Sequence, residues 1–196
     1  MGGTERDFQR LVGALDYPLF VVTAAAAGER DGCLVGFTTQ CSIHPPLFLV
    51  CISEKNRTHR IAERAEALVV HVVPDERRDL AELFGGETAD ERDKLSQVEW
   101  ESGPGGAPIV AGLGSWFAGR IVERIGWSGD HTGFVLEPVD SGLVGGDDVA
   151  VIGKAIDLIS FLDHRRFSFR RTTQKRRRKV SLLWSRRTPP ALRWKI

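Results

Sequence analysis

Apolar residues recur along this chain with two periods, and the periods separate helices from strands. Phe8, Leu11, Val12 and Leu15 fall at helical spacing and predict an N-terminal helix over residues 8–15. Residues 19–23 and 34–38 are short runs rich in β-branched side chains and predict two strands, with the Gly- and charge-rich residues 28–32 as the turn of a hairpin. Pro45-Pro46 interrupts the chain before a third strand over 47–52. Helical spacing returns over 58–64, where Ile61 and Ala62 are apolar and the Thr58 hydroxyl is placed to cap the helix. A buried strand is predicted over 67–73, then a helix over 76–84 opened by Asp75, with Leu80, Leu83 and Phe84 on one face. Residues 85–94 are polar and predict a loop or short helix; residues 103–108 are a Gly/Pro turn. Two longer strands, 115–125 and 133–139, are joined through residues 126–131, and 156–161 predicts a last strand. Strands outnumber helices, and the helices fall between strands. That order predicts a mainly β fold, a barrel with peripheral helices, rather than a doubly wound parallel sheet. No internal repeat is evident.

Charge divides the chain where the periods do not. Residues 1–163 carry 14 Lys and Arg against 26 Asp and Glu, whereas residues 164–196 carry 13 Lys and Arg and no acid. The expected organisation is one domain over 1–163 and a basic C-terminal tail over 164–196. The tail admits three readings: an electrostatic arm, an extension without fixed structure, or an altered or out-of-frame C-terminus. Nucleic-acid binding through it is not the expected function. Cys33, Cys41 and Cys51 are odd in number and form no C-x-x-C pair, which points to reduced thiols in a cytoplasmic protein. No apolar run approaches the ~18–20 residues of a membrane span, and the charged MGGTERDF start is unlike a secretion signal. The Asn56-Arg57-Thr58 sequon carries no glycan in such a compartment.

The familiar nucleotide motifs fail. The glycines at 103–106 and at 112–114 do not complete G-x-G-x-x-G, and no P-loop or G-x-S-x-G is present. The five histidines have no metal-ligand spacing, so no metal is expected. Two polar clusters remain, one at each end of the 47–52 strand. Thr38, Thr39, Gln40, Cys41 and Ser42 offer hydroxyl and amide groups where a strand is expected to give way to a loop. Ser53, Lys55, Asn56, Arg57 and Thr58 form the second set, with Arg57 at a predicted helix start and suited to an anion. Together they suit a phosphorylated, hydroxylated ligand; a polar turn with an ordinary helix cap is the plainer reading.

The order G-F-T-T-Q-C-S-I-x-P-P-L-F-L-V-C-I-S-x-x-N-R-T over 36–58 resembles the flavin reductase-like family, the FMN-binding split β-barrels of Greek-key type. Asp79-Leu-Ala-Glu-Leu-Phe-Gly85, Asp93-Lys94-Leu95, Gly106-Ala-Pro108 and Gly129-Asp130-His131 follow in the family's order. The resemblance implies NAD(P)H-dependent reduction of FMN or FAD, with NADH or NADPH as hydride donor. It also implies a homodimer with flavin near the interface and a reductase component that serves a two-component monooxygenase. By the same resemblance, Thr38, Thr39, Gln40, Cys41 and Ser42 contact the ring and ribityl chain. Ser53, Asn56, Arg57 and Thr58 hold the ribityl-phosphate end, and His131 lies on the nicotinamide side as the catalytic candidate. Hydride transfer needs positioning more than a strong acid or base, which fits the missing catalytic constellation. His131 as a structural histidine is the other reading, as are a flavin- or haem-binding module without turnover and a deazaflavin-dependent oxidoreductase. The chain departs from the family in its shorter spacing between Gly36 and Pro45, in Gln40 and Cys41, and in His44 before the prolines.

Overall fold

Antiparallel pairing organises the chain. The computed structural model describes residues 2–15, 17–86 and 93–144, all within the compact unit Met1–Arg166. The strand expected over 156–161 and the basic tail over 164–196 lie outside the described residues. Helix α1 (Gly3–Val12) begins earlier than its apolar spacing predicts and buries no residue. Strands β1 (Phe20–Ala26) and β2 (Glu29–Val35) form the expected hairpin. Its turn is only Ala27-Gly28, with φ of 51° and 82°, the left-handed pair that matches strand twist. Glu29–Gly32 therefore belongs to β2; its polar residues sit on an edge strand, where one side of the ladder meets water.

Strand β3 (Thr38–Ser42) pairs with β4 (Leu47–Ser53). The polar run 38–42 is thus an edge strand and not a loop: its two threonines suit a pleated surface, and only one ladder needs to be satisfied. Helix α2 (Arg57–Ala62) follows, with Asn56 as its N-cap. After β5 (Ala67–Val72) and a 3₁₀ turn at Asp75–Arg77 comes α3 (Arg78–Gly85). Strands β6 (Trp100–Ser102) and β7 (Pro108–Val110) flank the Gly/Pro turn as a small separate hairpin. Two long strands, β8 (Trp116–Gly126) and β9 (His131–Gly142), complete the main sheet.

The order of the seven-stranded sheet is β2-β1-β5-β8-β9-β4-β3. Strands β2 and β3 occupy opposite edges, yet only Gly36 and Phe37 separate them in sequence. A flat sheet of this width would hold its edges about 29 Å apart at ~4.8 Å per strand. The three steps from Val35 to Thr38 reach about 11 Å at most. The sheet must therefore curl until its edges meet at Gly36-Phe37, which makes a split barrel. Register shifts in the β8–β9 ladder, at Ala118/Gly119 and Ile121/Glu123, supply local twist for that curl.

One face of the curled sheet is the barrel interior. Val22, Ala24, Val50, Ile52, Leu68, Val70, Phe134 and Leu136 fill it, and Ile61 and Ala62 of α2 pack into the same cluster. The opposite face of β1 packs Leu19 and Val21 against Leu80, Ala81 and Phe84 of α3. Buried His71 joins three strands: the Val110 N–H donates to its Nε2 at 3.1 Å, so the proton sits on Nδ1, which donates to the Val21 carbonyl at 3.0 Å. Burial pushes its imidazole down to about 4, so it is neutral in the fold.

Candidate functional site

A cleft of about 120 Å³ opens at the joint where the barrel closes. Leu34 and Val35 come from the end of β2, Gly36 and Phe37 from the joint, and Cys51 and Ser53 from β4; Asn56 precedes α2, and His131 begins β9. The joint is pinned to β4 by the Cys51 N–H, which donates to the Phe37 carbonyl at 2.9 Å. Ser53 and His131 are register partners in the β4–β9 ladder. The Glu54 N–H donates to the Asp130 carbonyl at 3.0 Å and holds the turn beside them.

His131 is fixed from two sides. Its Nδ1–H donates to Asp130 Oδ1 at 2.7 Å, because a carboxylate only accepts. The same bond and the imidazole's charge hold the Asp130 carboxyl below its usual range. The Phe37 ring lies 5.2 Å from the His131 ring, tilted by 55°. In the tautomer with its one proton on Nδ1, the ring presents Nε2 as an acceptor. His59 on α2 bonds Thr132, the next residue of β9, at 2.8 Å, so helix and strand are tied behind the cleft. Arg124 Nη2 donates to the Ala65 carbonyl at 2.6 Å just beyond the end of α2.

The second polar set divides. Ser53 and Asn56 line the cleft with His131. Arg57 lies on the other side of the α2 start and pairs with Glu29 at 3.8 Å. Thr58 is not the cap its position predicts. It is fully buried, and its hydroxyl donates to Asp31 Oδ2 at 2.8 Å, anchoring α2 to β2. Cys33 lies beside this anchor; burial pushes its thiol up to about 11 against hydrogen bonds from Thr58 and Asn56. Cys51 in the cleft wall is also raised by burial, so it stays an unreactive thiol at neutral pH.

None of the first polar set lines the cleft. Thr39, Gln40 and Cys41 are exposed on β3, and the Gln40 amide donates to the Ser42 carbonyl at 3.1 Å. Thr38 follows Phe37 directly. Among the described residues its Oγ1 is the one buried side-chain polar atom without a hydrogen-bond partner, an unusual state for a native structure. Sequence reasoning did not single out Phe37 or Cys51. Phe37 carried a signal, an aromatic at a strand end among small polar residues, and it is 51% exposed where a core aromatic would be covered. The Asp93-Lys94-Leu95 segment is structural: buried Lys94 donates to the Gly32 carbonyl at 3.0 Å, and Asp93 Oδ1 accepts from the Leu95 N–H at 3.1 Å.

The arrangement is a small cleft lined by the Phe37 ring together with hydroxyl, amide and imidazole groups. It fits a planar heteroaromatic ring with a polar edge. Comparison with known proteins agrees. A family model, the flavin reductase like domain, matches residues 12–166. The reductase subunit of stachydrine N-demethylase from Rhizobium meliloti is 31% identical over 114 residues, which is 56% of this chain and 48% of that protein. The reductase component of a 4-nitrophenol monooxygenase from Rhodococcus opacus is 27% identical over 135 residues, covering 69% of this chain and 70% of its own. The crystal structure of an FMN-binding protein from Thermus thermophilus superposes with a TM-score of 0.61 at 28% identity, covering 66% of this chain and 72% of that one. The chain spans about half the length of the first curated relatives it matches.

Proposed function

Because this chain belongs to the flavin reductase-like domain family, we propose that it is an NAD(P)H:flavin oxidoreductase that passes hydride from NADH or NADPH to FMN or FAD. The observation that carries this reading is the cleft at the β2–β3 joint, which gathers Phe37, Ser53, Asn56 and His131. A bound flavin supplies the redox chemistry; the protein supplies orientation and exclusion of water. Ser53 and Asn56 offer hydrogen bonds to the polar edge and ribityl chain. Leu34, Val35 and Cys51 form the apolar floor that keeps water out. His131, held by Asp130, accepts the carboxamide N–H of the nicotinamide at Nε2 and sets its approach. Thr38 to Ser42 continue from Phe37 along the open edge of β3 and form the outer wall for the ring, and the partnerless Thr38 hydroxyl is the first of them. Arg57 takes the phosphate end. Thr58 works from behind, through Asp31, by fixing the start of α2.

A homodimer belongs to the same reading. A cleft of about 120 Å³ is small beside the ~300–1,000 Å³ of ligand pockets, and Phe37, which lines it, is exposed. A second copy laid there would complete the site. Relatives that are reductase components of monooxygenases support a role as the reductase of a two-component system. Among the described residues no helix is long and apolar enough to cross a membrane, and the free cysteines favour the cytoplasm. Residues 1–163 carry the activity, and the basic tail stands apart from it. The test is a titration of purified protein with FMN and FAD, followed by addition of NADH or NADPH. Flavin binding and nicotinamide-dependent flavin reduction are expected; absence of both overturns the proposal.

A further inference from the structure

In the β4–β9 ladder Cys51 faces Gly133 as Ser53 faces His131. Side chains opposite each other on a ladder, and those two apart on one strand, point to the same face. Cys51, Ser53 and His131 line the cleft, so a side chain on Gly133 would stand beside them. Trp127 takes that space instead. A Cβ on Gly133 would come within 2.7 Å of Trp127 Cη2, 3.1 Å of Cζ3 and 3.2 Å of Leu49 Cδ1. The other end of the indole reaches back over the turn, where a Cβ on Gly129 would lie 3.2 Å from its Cδ1. The two glycines thus leave a seat for one ring. The sheet runs β8-β9-β4-β3, and Trp127 follows the end of β8. His131 therefore has Phe37 on its β4 side, 5.2 Å away, and Trp127 on its β8 side. Phe37 is 51% exposed and Trp127 45%. A large ring seated on glycine and left half in water is a contact surface and not core.

The chemistry of an indole says what it would meet. Its face is the negative side of the ring quadrupole and attracts a cation or an electron-poor ring. Oxidised nicotinamide is both, and it carries a carboxamide, whose N–H groups suit an imidazole acceptor. Dihydronicotinamide and flavin are planar but carry no such ring charge. Resting on the function proposed above, we propose that Trp127 is a further binding residue of this site, an aromatic wall that contacts the nicotinamide beside His131 and favours its oxidised, cationic form. Gly133 is the support that lets the indole reach this position, and Leu49 packs against the same edge. Trp127 thereby sets how tightly the spent cofactor is held, and hence how strongly the product inhibits.

Titration of the full chain with oxidised NAD and NADP tests this without turnover, because a nicotinamide cation quenches indole emission on contact. Saturable quenching is expected in the wild-type chain and is expected to be lost in Trp127→Phe. By calorimetry, Trp127→Ala is expected to weaken the oxidised cofactor about threefold or more while FMN affinity stays within about twofold. Trp127→Phe keeps a ring and should recover part of that loss. Gly133→Ala displaces the indole without removing it and should weaken the oxidised cofactor too; Gly133 is not among the glycines with positive φ, so its backbone accepts alanine. No saturable quenching in the wild-type chain, quenching of full size in Trp127→Phe, or equal losses for FMN and oxidised cofactor would each overturn the proposal. So would a change in oligomer size in Trp127→Ala, which would mean that a second copy covers the indole. Quenching that depends on Trp127 in a chain that reduces no flavin would sink the flavin reductase reading but not this one. Flavin reduction with oxidised-cofactor affinity unchanged in all three variants would sink this one alone.

Discussion

Ser53 and His131 stand opposite each other as register partners where β4 pairs with β9. That pairing places a hydroxyl from the end of one strand beside an imidazole from the start of another. Asp130 Oδ1 then accepts from the imidazole Nδ1–H, which leaves Nε2 as the acceptor of that tautomer. Replacing His131 by Ala is expected to lower kcat/KM for NADH by about ten- to a hundredfold, the usual effect of lost positioning. Flavin affinity should change far less. Asp130→Asn keeps the volume and loses the charge, so it should give a smaller loss in the same direction. Steady-state kinetics beside a flavin titration checks both; a fall in flavin affinity that matches the fall in rate would contradict the role.

His71 predicts a pH dependence of stability. Its pKa in the fold is about 4 against 6.5 for the free group. The unfolded chain therefore binds more protons between those values, and stability rises with pH across that window. The contribution is complete above 6.5, declines as pH falls, and levels out below about 4. Between pH 7 and pH 5 the wild-type chain is expected to lose about 2 kcal/mol more than His71→Phe, which cannot titrate. Urea unfolding at the two pH values measures this difference.

Thr58 and Asp31 form a buried pair between α2 and β2. Thr58→Val removes the donor and leaves the carboxylate without it, so a loss of about 1–3 kcal/mol is expected. Chemical denaturation reads the loss, and an unchanged midpoint would show that α2 is held by packing alone.

Gly32 marks where α3 presses on the barrel. A Cβ there would meet Phe84 Cε1 at 2.9 Å and Thr23 Cγ2 at 3.0 Å, and Phe84 is almost fully buried. Gly32→Ala is expected to cost about 1–3 kcal/mol through overpacking, visible as a lower midpoint in thermal unfolding. A variant as stable as the parent would mean that α3 shifts freely.

Much of this architecture was legible in the sequence. The strands at β4, β5, β8 and β9 announce themselves because apolar runs carry the barrel core on them. Ser53, Asn56 and His131 were legible as candidates because polar groups clustered at strand ends stand out. The start of β2 was not, because Glu29 to Gly32 satisfy only one ladder and look like a turn. The three-residue strands β6 and β7 are too short to show a period. Phe37 escaped notice because an aromatic is usually core, and its exposure follows only from the barrel closing at Gly36-Phe37. Thr58 and Arg57 sit side by side in sequence, and only the helix turns one inward to Asp31 and the other outward to Glu29.

In the proposed function the cleft at the β2–β3 joint holds a flavin and presents it to a nicotinamide through His131. Anaerobic mixing of the protein and FMN with NADH, followed by the bleaching of the flavin's visible absorbance, tests it most directly. Rapid bleaching in the wild-type chain is predicted, slowed about tenfold or more in His131→Ala while FMN binding persists. Bleaching at the same rate in His131→Ala, or no bleaching in a wild-type chain that binds FMN, would contradict it.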